Sequence, residues 1–146
     1  MTTTTLKSLV QRLNTPCRES LEAATALCQS RSHYTVEIDH WFTAMLEKEL
    51  GDLRVICGSF GVNHDELISE LQVALETLKS GNNALPSISF HVINLLKQTW
   101  LNTSIEFADN QIRSAYLLYT LLKDESLSVW VSRRSKQLEK IDPDQL

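Results

Sequence analysis

Glycine and proline are scarce in this chain, four and three in 146 residues, and strict alternation of apolar and polar residues is nearly absent. Few turn-making residues and no period of two argue against a sheet protein and for an all-helical domain. Cysteine is too sparse for a disulfide scaffold, with three residues, an odd number. Cys17 and Cys28 on one helix would stand ~16 Å apart at a rise of ~1.5 Å per residue, too far to bridge. Cys57 sits in a separate apolar stretch, so reduced, buried thiols are expected. Long apolar runs are also missing. The longest, near Ala115 to Leu122, is too short to span a bilayer. The opening MTTTTLKSLVQRL lacks the charged start and apolar run of a signal peptide. No G-x-x-x-x-G-K-[ST] phosphate loop occurs. The net charge of −4, spread along the chain, gives no electrostatic reason to expect nucleic acid or a membrane surface as partner. A chain of this length can bury one core without disulfides or metal.

What is present is an echo. Val36 to Leu46 reads VEIDHWFTAML, and Ile112 to Leu122 reads IRSAYLLYTLL. At one constant offset Val36 faces Ile112, Trp41 faces Leu117, Phe42 faces Leu118 and Met45 faces Leu121. Both copies run into charge, at Glu47-Lys48-Glu49 and Lys123-Asp124-Glu125. A repeated apolar pattern at helical spacing predicts two similar helical units packed together.

The remaining helices follow the same spacing. Leu6, Leu9, Val10 and Leu13 form one face of a short first helix. Thr15 is the expected cap of the second, with Pro16 at its first position. Thr35 is expected to cap the third. A short helix from Leu53 stops at Gly61, and Asn63 with Glu66 reads as a capping box for the helix carrying Leu67, Leu71, Leu75 and Leu78. Gly81 to Ser87 is the most loop-like stretch. Ser87 or Ser89 caps a helix bearing Val92, Ile93, Leu96 and Trp100, and the last helix holds Val129, Trp130 and Val131. The predicted organisation is a domain over 1–134, with an extra N-terminal helix in 1–14, one unit in 15–80 and a second in 87–134. Residues 135–146 read as a linker or frayed end.

Catalytic and metal chemistry find little support in the residues. His33, His40, His64 and His91 are scattered and read as caps or surface side chains. Asp39-His40 and His64-Asp65 are adjacent, so their side chains diverge on a helix. Gly58-Ser59-Phe60-Gly61 lacks the preceding strand of a nucleophile elbow. Arg133, Arg134 and Lys136 are followed by acids and read as a solvated end. A small helical enzyme using His40 or Cys57 is the reading from another functional class, and nothing convergent supports it.

Val36, Asp39, His40, Trp41, Phe42, Ala44, Met45 and Leu46 together resemble the first repeat of the Clp N-terminal domain family. Aspartate replaces the usual glutamate, and Trp-Phe the usual leucines. Thr99 to Ser104, Ile112 to Leu118, and the first helix followed by Asn14-Thr15-Pro16-Cys17-Arg18 are similar to the ClpV (TssH) branch, the ring ATPases of bacterial type VI secretion. Ala115 stands where that branch has glycine, and Thr120 where it has alanine. The resemblance implies two pseudo-repeated four-helix units plus an extra helix. It also implies a recognition domain for contracted sheaths, binding a short helix of the larger sheath subunit. No cofactor is implied in this domain, and ATP and magnesium are expected in modules beyond it. The isolated domain is expected to be monomeric, the full-length protein hexameric, and the location the bacterial cytoplasm. The alternative is the N-domain of a general Clp unfoldase or disaggregase that binds an adaptor or exposed apolar segments.

From this resemblance a peptide groove is expected, with Leu6, Leu9, Val10 and Leu13 on one wall and Pro86, Ser87 and Ile88 on the other. Their other reading is core packing, with Ile88 or Phe90 stapling the start of the sixth helix.

Overall fold

The computed structural model describes residues 2–48 and 51–146, with side chains in the first helix from Leu6 onward. Eight α-helices run in order as α1 (Thr2–Gln11), α2 (Thr15–Ser30), α3 (Ile38–Glu47), α4 (Gly51–Ser59), α5 (His64–Glu76), α6 (Phe90–Leu101), α7 (Ser114–Lys123) and α8 (Glu125–Arg134). Two short strands, β1 (Thr35–Val36) and β2 (Ser87–Ile88), pair in parallel. The all-α expectation holds. Glu49, counted at the charged end of the first echo, lies outside the described residues.

The echoed segments are the two central helices. Every residue of α3 from Ile38 to Leu46 is buried, because α2 and α5 flank it and α8 reaches it through Arg134. α7 buries Leu117, Leu118, Thr120 and Leu121 among α4, α6 and α8. The leading segments are exchanged between the units. Val36, just before α3, pairs with Ile88, just before α6. Leu13, just before α2, pairs with Ile112, just before α7. Asn14 N–H donates to the Ile112 carbonyl at 2.9 Å and Ile112 N–H to the Arg12 carbonyl at 2.7 Å. The same crossed connection therefore occurs twice, as the repeat requires. In the second unit, α6, α7 and α8 are followed by two 3-10 turns, Leu138–Lys140 and Pro143–Gln145.

Several caps shift from their predicted positions. Asn14 caps α2, its side chain accepting from Cys17 N–H, which leaves Thr15 as the first helical residue. Glu37 rather than Thr35 precedes α3, because Thr35 is spent in β1 and its hydroxyl donates to the Glu37 carboxylate at 2.7 Å. Asn63 accepts from Glu66 N–H as expected, but the other half of the box is taken by the tail. Gln137 accepts from Asn63 N–H and donates to the Glu66 carboxylate. Ser89 caps α6. Gly61 adopts φ 66°, the left-handed conformation expected at the end of α4.

Residues 135–146 do not fray. Leu138 and Ile141 are each only 3 % exposed and join the main core. Glu70 on α5 accepts from Ser135 Oγ and from the backbone of Lys136 and Gln137, which clamps the segment onto the first unit. Two apolar residues among many polar ones gave too weak a period to reveal this. The basic cluster is likewise not wholly solvated, since Arg134 turns inward to Asp39.

After α6 the chain widens into a π-helical turn, Asn102–Glu106. Thr99, Thr103 and Ser104 hydroxyls each donate to the carbonyl four residues back, which competes with the regular ladder and loosens it. Asn102 then donates to Thr120 Oγ1 at 2.9 Å, a bond that alanine at 120 could not accept.

Candidate docking surface

The predicted groove residues divide between core and surface. Leu13 is fully buried and Leu9 7 % exposed, so both belong to the core. They cannot form a wall open to a partner, because the inward face of α1 is needed to seal it against α6. Leu6, Val10 and Ile88 are partly buried and pack against that core with an open flank. Pro86 is half-buried and Ser87 exposed. The staple reading fails for Phe90, which is 74 % exposed at the first position of α6. Leu85, one residue before the predicted wall, is 79 % exposed.

The result is an apolar strip, Leu85-Pro86-Ile88-Phe90, carried over β2 and the start of α6. It is held firmly from behind. Ser87 N–H donates to the Tyr34 carbonyl and Ser89 N–H to the Val36 carbonyl. Asn82 side-chain N–H donates to the His33 and Ala84 carbonyls, fixing the preceding loop. α1 lies on α6, with the Arg12 guanidinium 4.6 Å from the Trp100 ring centroid. Leu85 was missed because it falls inside the most loop-like stretch, where a lone leucine carries no periodicity.

Clefts elsewhere have other linings. One of about 360 Å³ is formed by Leu46, Leu53, Arg54, Cys57, Val62 and His64. Another of about 580 Å³ lies between α4 and the end of the tail. Burial pushes the Cys57 pKa up, which keeps the thiol protonated and a poor nucleophile.

The histidines depart most from expectation. His33 and His40, read as cap or surface residues, are both buried, and His33 Nδ1 lies 2.8 Å from His40 Nε2. With Cys28 they form a trio whose donor atoms lie within 4.8 Å of one another. Three of their four ring nitrogens and the thiol already take part in hydrogen bonds. His40 Nδ1 accepts from Glu37 N–H at 2.9 Å, so the neutral ring carries its proton on Nε2 and donates it to His33. The Cys28 thiol donates to the Thr35 carbonyl at 3.2 Å, and burial pushes its pKa up to about 11. The group forms a hydrogen-bonded latch joining α2, the following turn and α3. Asp39 and His40 do diverge as read, one to Arg134 and the other to His33.

This latch makes stability depend on pH. Burial first, then the neighbouring His33, lower the His40 pKa from 6.5 to about 4. Between those values the unfolded chain takes up a proton that the folded chain refuses. Stability is therefore intact above pH ~6.5, falls as pH drops and levels off below pH ~4. At ~1.4 kcal/mol per unit the loss is about 3 kcal/mol. Urea titrations at neutral and acidic pH should show it, and His40→Gln should flatten that part of the slope. Parallel slopes in the two proteins would contradict it.

Comparison with known proteins now gives the family. Residues 12–131 match the Clp repeat (R) N-terminal domain. The chain belongs to the Clp N-terminal domain family. It is 31 % identical over 134 residues to the AAA+ ATPase ClpV1 of Pseudomonas aeruginosa, covering 92 % of this chain and 15 % of that protein. It is 30 % identical over 137 residues to the chaperone protein ClpB of Yersinia enterocolitica, covering 94 % of this chain and 15 % of ClpB. The chain thus spans about a seventh of the length of these relatives. A ClpV N-domain solved in complex with a VipB peptide superposes with a TM-score of 0.80 at 25 % identity, covering 97 % of this chain and 86 % of that one. The chain is similar to ClpV N-domains in sequence and in fold, as the branch-specific residues implied. Among the described residues no helix is long and apolar enough to cross a membrane.

Proposed function

We propose that this chain is the recognition domain of a ClpV-type ring ATPase acting in the bacterial cytoplasm. It would dock a short helix of the larger type VI sheath subunit on the strip Leu85-Pro86-Ile88-Phe90 and the open flank of α1 at Leu6 and Val10. The carrying observation is Phe90, 74 % exposed at the start of α6, with Leu85 79 % exposed five residues before it. Large apolar side chains held clear of the core in this way suit a helix-in-surface contact. The ClpV N-domain complexed with a VipB peptide supports the same class of ligand. ATP hydrolysis and hexamer formation would belong to the rest of such a protein.

A docked helix of three turns buries ~400 Å² of apolar surface, worth roughly 10 kcal/mol gross. Association and helix ordering cancel about half of that, which leaves a dissociation constant in the micromolar range. Six such domains on a ring would turn weak contacts into selective capture of a polymeric sheath.

The test is calorimetric titration of a sheath-subunit helix peptide into wild type and Phe90→Asp. Affinity should fall at least ~30-fold, the loss of one buried aromatic anchor. The melting temperature should stay unchanged, since Phe90 supports no core. Equal affinity in the two proteins would show that the strip is not the site. Leu9→Asp is unsuitable, because it buries a charge in the core. An unfolded model protein in a parallel titration separates a sheath receptor from a ClpB-like general binder, which would take both.

A further inference from the structure

The net charge reads as spread along the chain, but its acidic residues leave two gaps. The 18 aspartates and glutamates begin at Glu19, none falls between Thr77 and Ile105, and the rest begin again at Glu106. The two acid-free stretches are α1 with its approach to α2, and the loop, β2 and α6. These are the two sides of the docking surface. Over the same stretches the chain carries Lys7, Arg12, Arg18, Lys79, His91 and Lys97.

The placement of these charges follows the helix geometry. Phe90, Lys97 and Leu101 are exposed and lie seven and eleven positions along α6, so they share one face. Lys7 is exposed on α1, which packs against that helix, and Arg12 caps the contact over Trp100. Among the described residues neither Lys7, Arg12 nor Lys97 makes an ion pair. One acid from another element, Glu37 before α3, reaches His91 of α6. Its carboxylate accepts from Thr35 and lies 3.5 Å from His91. A protein of net charge −4 therefore presents an apolar surface whose own two elements carry Lys7, Arg12 and Lys97 and no acid.

We infer that the segment docking on this surface is an amphipathic helix whose polar flanks are acidic. The inference rests on the docking reading above and adds the charge of the partner. A cationic rim around an apolar strip attracts a helix bearing glutamate or aspartate beside its leucines, and it speeds the encounter. It also repels basic helices, and the negative remainder of the domain repels acidic segments from everywhere else. Selection against wrong sites comes from the same distribution.

The experiment uses two synthetic helical peptides of about fifteen residues with the same leucine face. One is flanked by glutamates and the other by lysines. Each is titrated into the wild-type domain and into Lys7→Glu/Lys97→Glu at low and high salt. The glutamate peptide should bind wild type about tenfold more tightly than the lysine peptide at low salt. The double variant should reverse that order, and high salt should shrink both differences. Equal binding of the two peptides at low salt, with Phe90→Asp still abolishing it, would overturn the charge inference and leave the docking site standing. If neither peptide nor a sheath helix binds wild type, the docking reading fails and the inference with it.

Discussion

Removing residues 135–146 should cost this domain about 4 kcal/mol or more, a large share of its stability. Leu138 and Ile141 are as buried as the helical core, and deleting each such side chain costs ~2–5 kcal/mol. The deletion also strips Glu70 of three donors and Asn63 of its partner Gln137. Against a total stability of ~5–15 kcal/mol, that loss is large. Circular dichroism melts of the 1–134 and 1–146 chains make the comparison. Leu138→Ala in the 1–146 chain should reproduce a large part of the effect. A 1–134 chain melting within a few degrees of 1–146 would show that the tail merely rests on the surface.

The second large effect concerns the buried ion pair. Arg134 Nε donates to Asp39 Oδ2 at 3.1 Å; the Asp39 side chain is 2 % exposed and that of Arg134 31 %. Burial pushes the Asp39 pKa up even though Arg134 draws it down. The carboxylate therefore costs stability where it sits, and the arginine, helped by a backbone hydrogen bond, makes its charge tolerable. Arg134→Leu should destabilise by roughly 3–5 kcal/mol, because it strands a buried charge. Asp39→Leu should cost less, since Arg134 can swing to water while keeping its stack on Trp130, 4.7 Å away. The double Leu variant should recover much of the loss, apolar replacement of a buried pair often being neutral or better. Denaturant titrations of the four proteins form the cycle. Equal costs for the two single changes, summing in the double, would mean that the pair behaves as a surface contact.

The helices were legible because their apolar residues recur at helical spacing and the second echo repeats the first. Trp41, Phe42 and Met45, and their counterparts Leu117, Leu118 and Leu121, are all buried as that pattern required. The docking surface was half legible. Ile88 and Pro86 stood out as apolar residues in a connector, but the face of α1 could not be divided between core and partner from spacing alone. Leu9 and Leu13 went inward because α1 packs on α6 and Leu13, just after it, pairs with Ile112. The histidine latch was illegible for a different reason. His33 and His40 meet only because the turn after α2 folds back onto the start of α3, and no local pattern encodes that return.

The crossed pairings Val36–Ile88 and Leu13–Ile112 make each half the missing edge of the other. Neither half would be self-sufficient if released. A chain nicked near Asn83 should stay associated, its fragments interlocked like a dimer that has traded arms. A lone first half would have to recruit a second copy of itself to satisfy the same backbone groups. Tandem fusion of two such arm-trading partners would turn a concentration-dependent assembly into one that holds together at any dilution.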